Sequence, residues 1–297
     1  MFTGLSAFPL TPLVNGEIDE SRLTHLIEHL AEAGVDSIGA LGSTGSYAYL
    51  THEQRRSVTK LAVNAAGSIP VITSIGAVRT DDVMRLAEDA QQAGVSGVLL
   101  APVSYQPLND TEVFRLYERV TAELSVPLCI YDNAATTRFD FSDDLLIALS
   151  YLDNVGSIKL GEFPADPVQA IQHVEHLKSQ IARGVTLGIS GDAQSTTGLL
   201  VGCDIWYSVL GGLFPHYAMN LTKAALSGNT TEARLLDRAL EPLWVFYRRH
   251  GSLRVIASIA EIQGTVHSPC LPFPLQTLIG KEMAALESTL EQLSFLA

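Results

Sequence analysis

Short apolar segments alternate with longer amphipathic ones along about three quarters of the chain. The apolar segments have the length of buried β-strands, and apolar residues at helical spacing follow each of them. Eight segments are predicted as strands: Leu5–Phe8, Ser37–Leu41, Val71–Ile75, Gly97–Ala101, Val126–Tyr131, Val155–Lys159, Thr186–Ser190 and Ile205–Val209. Eight strand-and-helix units of about 27 residues each predict an α/β fold, the closed (β/α)8 TIM barrel.

The strand-helix alternation stops near Ser227, and only helical periodicity follows. It extends over residues 232–249, 253–263 and 274–293. We therefore expect a barrel catalytic domain at 1–226 and a C-terminal helical region at 227–297. A doubly wound open sheet is the competing fold, but the turn after the first strand reads PLTPLVNGE and lacks the glycine fingerprint of that fold.

Composition indicates which kinds of partner and which compartment to expect. The formal charge of −13 comes from 32 acidic and 19 basic residues, so the surface repels a phosphate backbone and no nucleic acid is expected. Apolar runs such as Val98–Pro102 are far shorter than the roughly 20 residues that span a bilayer, and no secretory signal pattern opens the sequence. Cys129, Cys203 and Cys270 are widely spaced and odd in number, which is typical of a reducing, cytoplasmic protein.

Lys159 differs from the other four lysines because it ends an apolar strand instead of lying in an amphipathic helix. If Ile158 and Leu160 face the helices, strand alternation turns Lys159 into the barrel. Desolvation there favours the neutral amine, which attacks carbonyl carbons to form imines. Lys159 is thus the candidate nucleophile; alternatively, the strand ends one residue earlier and Lys159 faces water.

Tyr131 ends the preceding strand with the same inward parity. The two side chains then converge at the C-terminal mouth of the barrel, where barrel enzymes place their catalytic groups. A tyrosine hydroxyl beside an imine can move protons to and from it. Tyr131 is therefore the candidate acid/base, the alternative being a core tyrosine bonded to the backbone.

The loop after the second strand, GSTG at 42–45, joins two glycines to Ser43 and Thr44. Free N–H groups and hydroxyls in such a turn can hold a carboxylate and pass a proton to the tyrosine. A similar turn containing Gly191 follows the seventh strand. We expect these turns to bind the carboxylate of a small acid.

Five segments in combination resemble the dihydrodipicolinate synthase and N-acetylneuraminate lyase superfamily: GSTG, YDNAATT, SIKLG, SGDAQ and GCDIWYSVLGG. The resemblance covers essentially the whole chain, including the helical tail. It implies a TIM barrel that assembles as a homotetramer or dimer and forms a Schiff base between Lys159 and pyruvate or another 2-oxo acid. It assigns acid/base catalysis to Tyr131 and proton relay to Thr44. The substrate-binding residues that it implies are Ser43, Thr44, Gly191 and Tyr207.

Departures from the family pattern concern the second substrate. Synthases of this family carry GTTGE where this chain reads GSTGS, and a carboxylate-binding arginine where this chain has Thr136, with Arg138 two residues on. The tyrosine that the family donates across a subunit interface aligns with Ser104, beside Tyr105. We therefore expect the imine chemistry with a partner other than aspartate semialdehyde.

The leading expectation is a lyase or aldolase that condenses or cleaves a small-molecule 2-oxo acid and an aldehyde or oxo-acid partner on Lys159. No metal or organic cofactor is expected, because the imine itself supplies the electron sink. Two alternatives stay open. One is a 4-hydroxy-tetrahydrodipicolinate synthase of lysine biosynthesis, with Arg138 replacing the displaced arginine. The other is a non-catalytic paralogue that binds an oxo acid.

His25 and His29 formally match the HxxEH zinc pattern. The apolar stripe of their helix, which contains Leu23, Leu26 and Leu30, leaves both histidines on its outer face. That face is far from the predicted mouth, so no metal site is expected there.

Overall fold

A closed barrel of eight parallel strands forms the centre of the protein, and a two-stranded hairpin, β2 with β3, lies beside it. The computed structural model describes residues 1–161, 163–164 and 166–296. The strands are β1 (Gly4–Ala7), β2 (Leu13–Val14), β3 (Glu17–Ile18), β4 (Ser37–Ala40), β5 (Val71–Ser74), β6 (Gly97–Leu100), β7 (Leu128–Tyr131), β8 (Val155–Leu160), β9 (Thr186–Ile189) and β10 (Ile205–Ser208). The barrel strands follow chain order and β10 closes on β1. The predicted (β/α)8 barrel is confirmed.

Helices surround the barrel and continue beyond it. They are α1 (Glu20–Ala33), α2 (His52–Ala65), α3 (Thr80–Ala93), α4 (Asp110–Thr121), α5 (Ala134–Thr137), α6 (Asp143–Ser150), α7 (Pro167–Gln180), α8 (Ser195–Leu200), α9 (Pro215–Leu226), α10 (Thr230–Ala239), α11 (Glu241–His250), α12 (Ser252–Ile262) and α13 (Gly280–Gln292). Several helices begin at a polar side chain that caps them. Thr51, for example, caps α2 in a reciprocal capping box with Gln54.

The C-terminal region is helical as expected, but two helix boundaries are different from the prediction. The helix predicted over 232–249 is two helices, α10 and α11, which meet at Leu240. Pro242 lies in the first turn of α11, where its missing N–H is tolerated, whereas it would disrupt one continuous helix. The last helix begins at Gly280 instead of residue 274, and Ile279 before it is extended.

Alternate residues of the strands enter two separate apolar clusters. Leu128, Ile130 and Ile158 belong to the large core between the strands and the helices. Cys129 and Tyr131 belong instead to a cluster inside the barrel. The other members of the inner cluster are Phe2, Phe8, Ile72, Leu99, Ala101, Ile205 and Tyr207. The parity predicted for β7 and β8 is therefore present.

The helices after residue 226 share their buried core with the barrel helices, to which they contribute Leu240, Trp244 and Leu286. The boundary between residues 226 and 227 stays a prediction. Within the described ranges, no helix has the length and apolar character needed to cross a membrane.

Candidate active site

Lys159 and Tyr131 are direct partners in the register of two neighbouring strands. Tyr131 is the last residue of β7, and its Cα pairs with that of Lys159 in the parallel ladder to β8. Parallel neighbours at the same height place their side chains on the same face of the sheet. Both side chains are buried, and both border the same cavity at the carboxyl ends of the strands. The structure thus brings the two residues together.

Three aromatic rings surround the amine of Lys159. Its Nζ lies 4.0 Å from the ring centroids of Phe8 and Tyr131 and 5.5 Å from that of Tyr207. No carboxylate of the described chain lies within ion-pair distance of this nitrogen. Aromatic faces can contact both a neutral amine and its protonated form, so they position Nζ without fixing it in an ion pair.

Two neighbouring side chains bind the hydroxyl of Tyr131. The Ser43 hydroxyl lies 3.2 Å from it, within hydrogen-bond distance. The Asn133 amide donates to it from Nδ2 at 2.8 Å and reaches Ser43 Oγ at 3.4 Å. Sequence reasoning did not single out Asn133, although it stands in the YDNAATT segment directly after β7. These bonds hold the phenol oxygen at the mouth, where it can exchange a proton.

Tyr47 and Arg55 form a second buried pair beside the cavity. The Arg55 guanidinium carbon lies 5.2 Å from the centre of the Tyr47 ring, and its two Nη atoms donate to the carbonyls of Ser74 and Gly76. Burial, more than the nearby Tyr131, raises the pKa of Tyr47 to about 12. Burial also lowers the pKa of Arg55 to about 10. Tyr47 is therefore neutral and a hydrogen-bond donor at neutral pH.

Tyr207 lies lower in the barrel than the resemblance implies. Its hydroxyl is 2.7 Å from Ser157 Oγ and accepts from Cys129 Sγ at 3.3 Å. Burial raises the pKa of Tyr207 well above its ordinary value and that of the Cys129 thiol to about 11. Tyr207 is not among the residues that border the cavity, so it packs beneath Lys159 instead of forming the cavity wall.

The cavity at the barrel mouth has a volume of about 570 Å³. Ser43, Thr44 and Gly191 border it, as the sequence predicts. Such a volume falls in the range of small-molecule sites and exceeds what a three-carbon oxo acid fills. The structure thus gathers the two predicted turns around Lys159 and leaves room for a second molecule.

The side chains proposed to replace family residues lie outside this cavity. Arg138 is exposed, follows the short helix α5 and does not border the cavity. Tyr105 is 89% exposed and does not border it either. Neither side chain contacts the site within this one chain.

The carboxylate of Asp192 is buried behind the Gly191 turn. It accepts hydrogen bonds from Trp206 Nε1 at 2.9 Å and from the backbone N–H groups of Val209 and Leu210 at 3.2 and 2.7 Å. Burial raises the pKa of Asp192 to about 6, although these donors favour the charged form. Asp192 thereby ties the loop after β9 to the end of β10.

The HxxEH histidines lie away from the cavity of Lys159. His25 and His29 are on α1, and the His29 ring meets that of His216 edge-on with centroids 6.2 Å apart. Burial and the two neighbouring histidines lower the pKa of His29. No cluster of three or more metal-ligating side chains occurs in the part of the chain that the structure describes.

Known proteins resemble this chain over nearly its whole length. The model of the dihydrodipicolinate synthetase family matches residues 1–293. Two relatives named 4-hydroxy-tetrahydrodipicolinate synthase are similar: that of Phenylobacterium zucineum is 29% identical over 78% of each chain, and that of Idiomarina loihiensis is 30% identical over 82% of this chain and 81% of its own. The crystal structure of dihydrodipicolinate synthase from Agrobacterium tumefaciens superposes with a TM-score of 0.95 at 41% identity, covering 98% of both chains.

Proposed function

This chain belongs to the dihydrodipicolinate synthetase family of class I, pyruvate-dependent lyases, and we propose that Lys159 forms its Schiff base and Tyr131 moves its protons. The observation that carries the proposal is the pairing of these two residues in register at one cavity. The reaction joins or cleaves a 2-oxo acid, such as pyruvate, and an aldehyde or oxo-acid partner.

The chemistry follows from the amine. Neutral Nζ adds to the keto carbon, the carbonyl oxygen leaves as water, and an imine forms. Loss of a proton from the neighbouring carbon gives an enamine, which attacks the partner's carbonyl carbon and forms a carbon–carbon bond. Water then hydrolyses the new imine and frees Lys159. Each proton transfer needs a group that both accepts and donates, and the Tyr131 hydroxyl, bonded to Ser43 and Asn133, supplies it.

The carboxylate of the oxo acid binds at the GSTG loop in this proposal. Ser43 and Thr44 border the cavity with Lys159, and Gly191 borders it from the loop after β9. Hydroxyl and backbone N–H donors are the groups that hold a carboxylate without a metal. Thr44, next to Ser43, completes the proposed relay to Tyr131.

Trapping of the imine tests the proposal. Incubation with pyruvate and borohydride, followed by proteolysis and mass spectrometry, should place a reduced adduct on Lys159 and remove turnover in the same reaction. A Lys159→Ala variant should lose both, while Lys223→Ala, which changes an exposed lysine of α9, should keep both. Thermal stabilisation by oxo acids without adduct or turnover would favour a non-catalytic binding protein and refute the proposal.

A 4-hydroxy-tetrahydrodipicolinate synthase is the second candidate, favoured by the names of the two relatives. In this chain Arg138, the residue offered as a substitute for the carboxylate-binding arginine, is exposed and outside the cavity. Consumption of aspartate semialdehyde with pyruvate would support this candidate, and failure to consume it would exclude it.

Assembly as a homo-oligomer, a tetramer or dimer, is part of the proposal. Three exposed apolar residues lie in successive loops after β4, β5 and β6. Their exposed fractions are 52% for Tyr49, 62% for Val78 and 89% for Tyr105. Exposed apolar groups that cluster at one face are typical of protein contacts. A cytoplasmic location is also proposed; the three buried, unpaired cysteines support a reducing compartment.

A further inference from the structure

The C-terminal helices supply part of the wall of the Lys159 cavity. Residues 250–254, where α11 ends and α12 begins, all border it. This segment lies more than ninety residues beyond Lys159 in the sequence, and it contains Arg254, the one arginine among the described residues that border the cavity. Because the cavity exceeds the needs of a three-carbon acid, this wall is available to the second molecule.

The charged side chains of described residues that border the cavity have one sign. Among the described residues that border it, Arg254 carries a guanidinium, Lys159 and His250 are basic, and none is acidic; His250 Nε2 lies 3.2 Å from Glu282 Oε2. The whole chain has a formal charge of −13, so this local arrangement is the reverse of the overall charge. A cavity lined in this way favours an anionic ligand over a neutral one.

Arg254 has donors left for a ligand. Its Nη1 donates to the Gln276 carbonyl at 2.6 Å, and no ion pair of Arg254 occurs in the described part of the chain. A guanidinium carries five N–H donors in a rigid fork that matches a carboxylate. Arg249, five residues earlier and in α11, instead binds Glu282 at 2.9 Å. The bond to Gln276 therefore holds the Arg254 guanidinium in place while its other donors stay available.

Further donors border the same cavity without protein partners. Ser46 is 3% exposed, and its Oγ has no hydrogen-bond partner among the described residues. A buried hydroxyl without a partner is costly unless a ligand or water binds it. Helix α12 opens at Ser252 with neither a side-chain cap nor an acidic residue in its first turn, so its first N–H groups are also free to meet an anion.

Building on the proposed function, we infer that Arg254 determines specificity by binding a carboxylate on the aldehyde partner, at the end of the molecule remote from its carbonyl. The oxo acid's own carboxylate occupies the GSTG loop, and the second carboxylate binds the Arg254 fork. The preferred partner is thus a semialdehyde acid, and a neutral aldehyde of the same length is a poor substitute.

Matched aldehydes and matched arginine variants test this inference. Pyruvate is combined with succinate or glutarate semialdehyde and, for comparison, with neutral butanal or pentanal. Arg254→Gln should lower kcat/KM for the acidic aldehydes by about ten- to hundredfold, the loss of a charged hydrogen bond, and leave the neutral aldehydes and the pyruvate adduct on Lys159 unchanged. Arg254→Lys keeps the positive charge but not the planar fork of donors. Its kcat/KM for the acidic aldehydes should lie between those of the parent and of Arg254→Gln.

Arg138→Gln and Arg249→Gln are the controls, since both arginines lie outside the cavity and both variants should keep the parent's preference. The inference is overturned if the parent forms the adduct but does not prefer the acidic aldehydes. It is equally overturned if Arg254→Gln retains that preference or if Arg138→Gln loses it. Absence of the adduct in the parent protein would instead refute the proposed function, and the inference with it.

Discussion

A methyl group added at Gly39 is expected to displace the Phe8 ring, which lies next to Lys159 inside the barrel. Gly39 lies in β4, and a Cβ atom there would lie 2.3, 2.4 and 2.5 Å from three carbon atoms of the Phe8 ring. Ordinary contacts begin at 3.4 Å, so the ring must move by about 1 Å. The ring is buried and carries Lys159 Nζ at 4.0 Å from its centre. Gly39→Ala therefore displaces the ring that contacts Lys159, the proposed nucleophile.

Two magnitudes follow from this geometry. Overpacking of a filled core costs about 1–3 kcal/mol, which lowers the midpoint of thermal unfolding by roughly 2–10 °C in a protein of this size. A misplacement of about 1 Å at a reacting group can cost about a hundredfold in rate. We therefore expect Gly39→Ala to fold but to form the pyruvate adduct on Lys159 about a hundred times more slowly.

Borohydride trapping at timed intervals measures the rate of adduct formation, and circular dichroism against temperature measures stability. Phe8→Leu supplies the matched background, because a shorter side chain leaves space for the new methyl group. Gly39→Ala should cost clearly less in that background than in the parent. Equal costs in the two backgrounds, or an unchanged adduct rate in the single variant, would show that Phe8 does not transmit the effect to Lys159.

Three further predictions concern other parts of the molecule. Tyr131→Phe should lower kcat by about a hundredfold or more in a protein that still folds, since the ring stays while the proton carrier and its bonds to Ser43 and Asn133 are lost; unchanged kcat would exclude Tyr131 as the acid/base. Burial raises the pKa of Asp192 to about 6 from 3.8, so its contribution to stability is greatest below pH 3.8 and is lost as the pH rises through 6. The free-energy difference between parent and Asp192→Asn should therefore shift against the parent by roughly 1 kcal/mol between pH 5 and 8 in urea titrations, and a pH-independent difference would contradict this. Tyr105→Asp should reduce the molecular mass in sedimentation experiments, and an unchanged mass would remove that loop from the proposed interface.

The pairing of Lys159 and Tyr131 could be predicted because a strand has a period of two residues. Once Ile158 is assigned to the outer face, the inward direction of Lys159 follows from covalent geometry, and the same rule applies to Tyr131. Applied to β1, it also turns Phe8 inward, since Leu5 belongs to the outer core and Phe8 is three residues on. Local periodicity was thus sufficient for the inward direction of Lys159 and Tyr131.

The positions of other residues depend on tertiary arrangement, which strand periodicity does not predict. Asn133 reaches Tyr131 only because α5 begins directly after β7, and no pattern in the sequence states which way its amide points. The split between α10 and α11 had a local signal, Pro242, that helical periodicity outweighed. The depth of Tyr207 depends on the stagger of β10 against β9, which the sequence of one strand does not contain.

Arg254 and Arg138 illustrate the limit most directly. Arg138 was the candidate for binding a carboxylate because it lies two residues beyond Thr136, where the family has its arginine; in the structure it ends α5 in the left-handed conformation and is exposed. Arg254 is remote in sequence, but the chain turns at Gly251, whose φ of 81° suits glycine, and α12 then starts at the barrel mouth. Sequence distance measures the length of chain between two groups. Binding depends instead on which segments the tertiary packing brings to one cavity. The proposed specificity for the second substrate is therefore a tertiary property, whereas the proposed nucleophile can be predicted from a single strand.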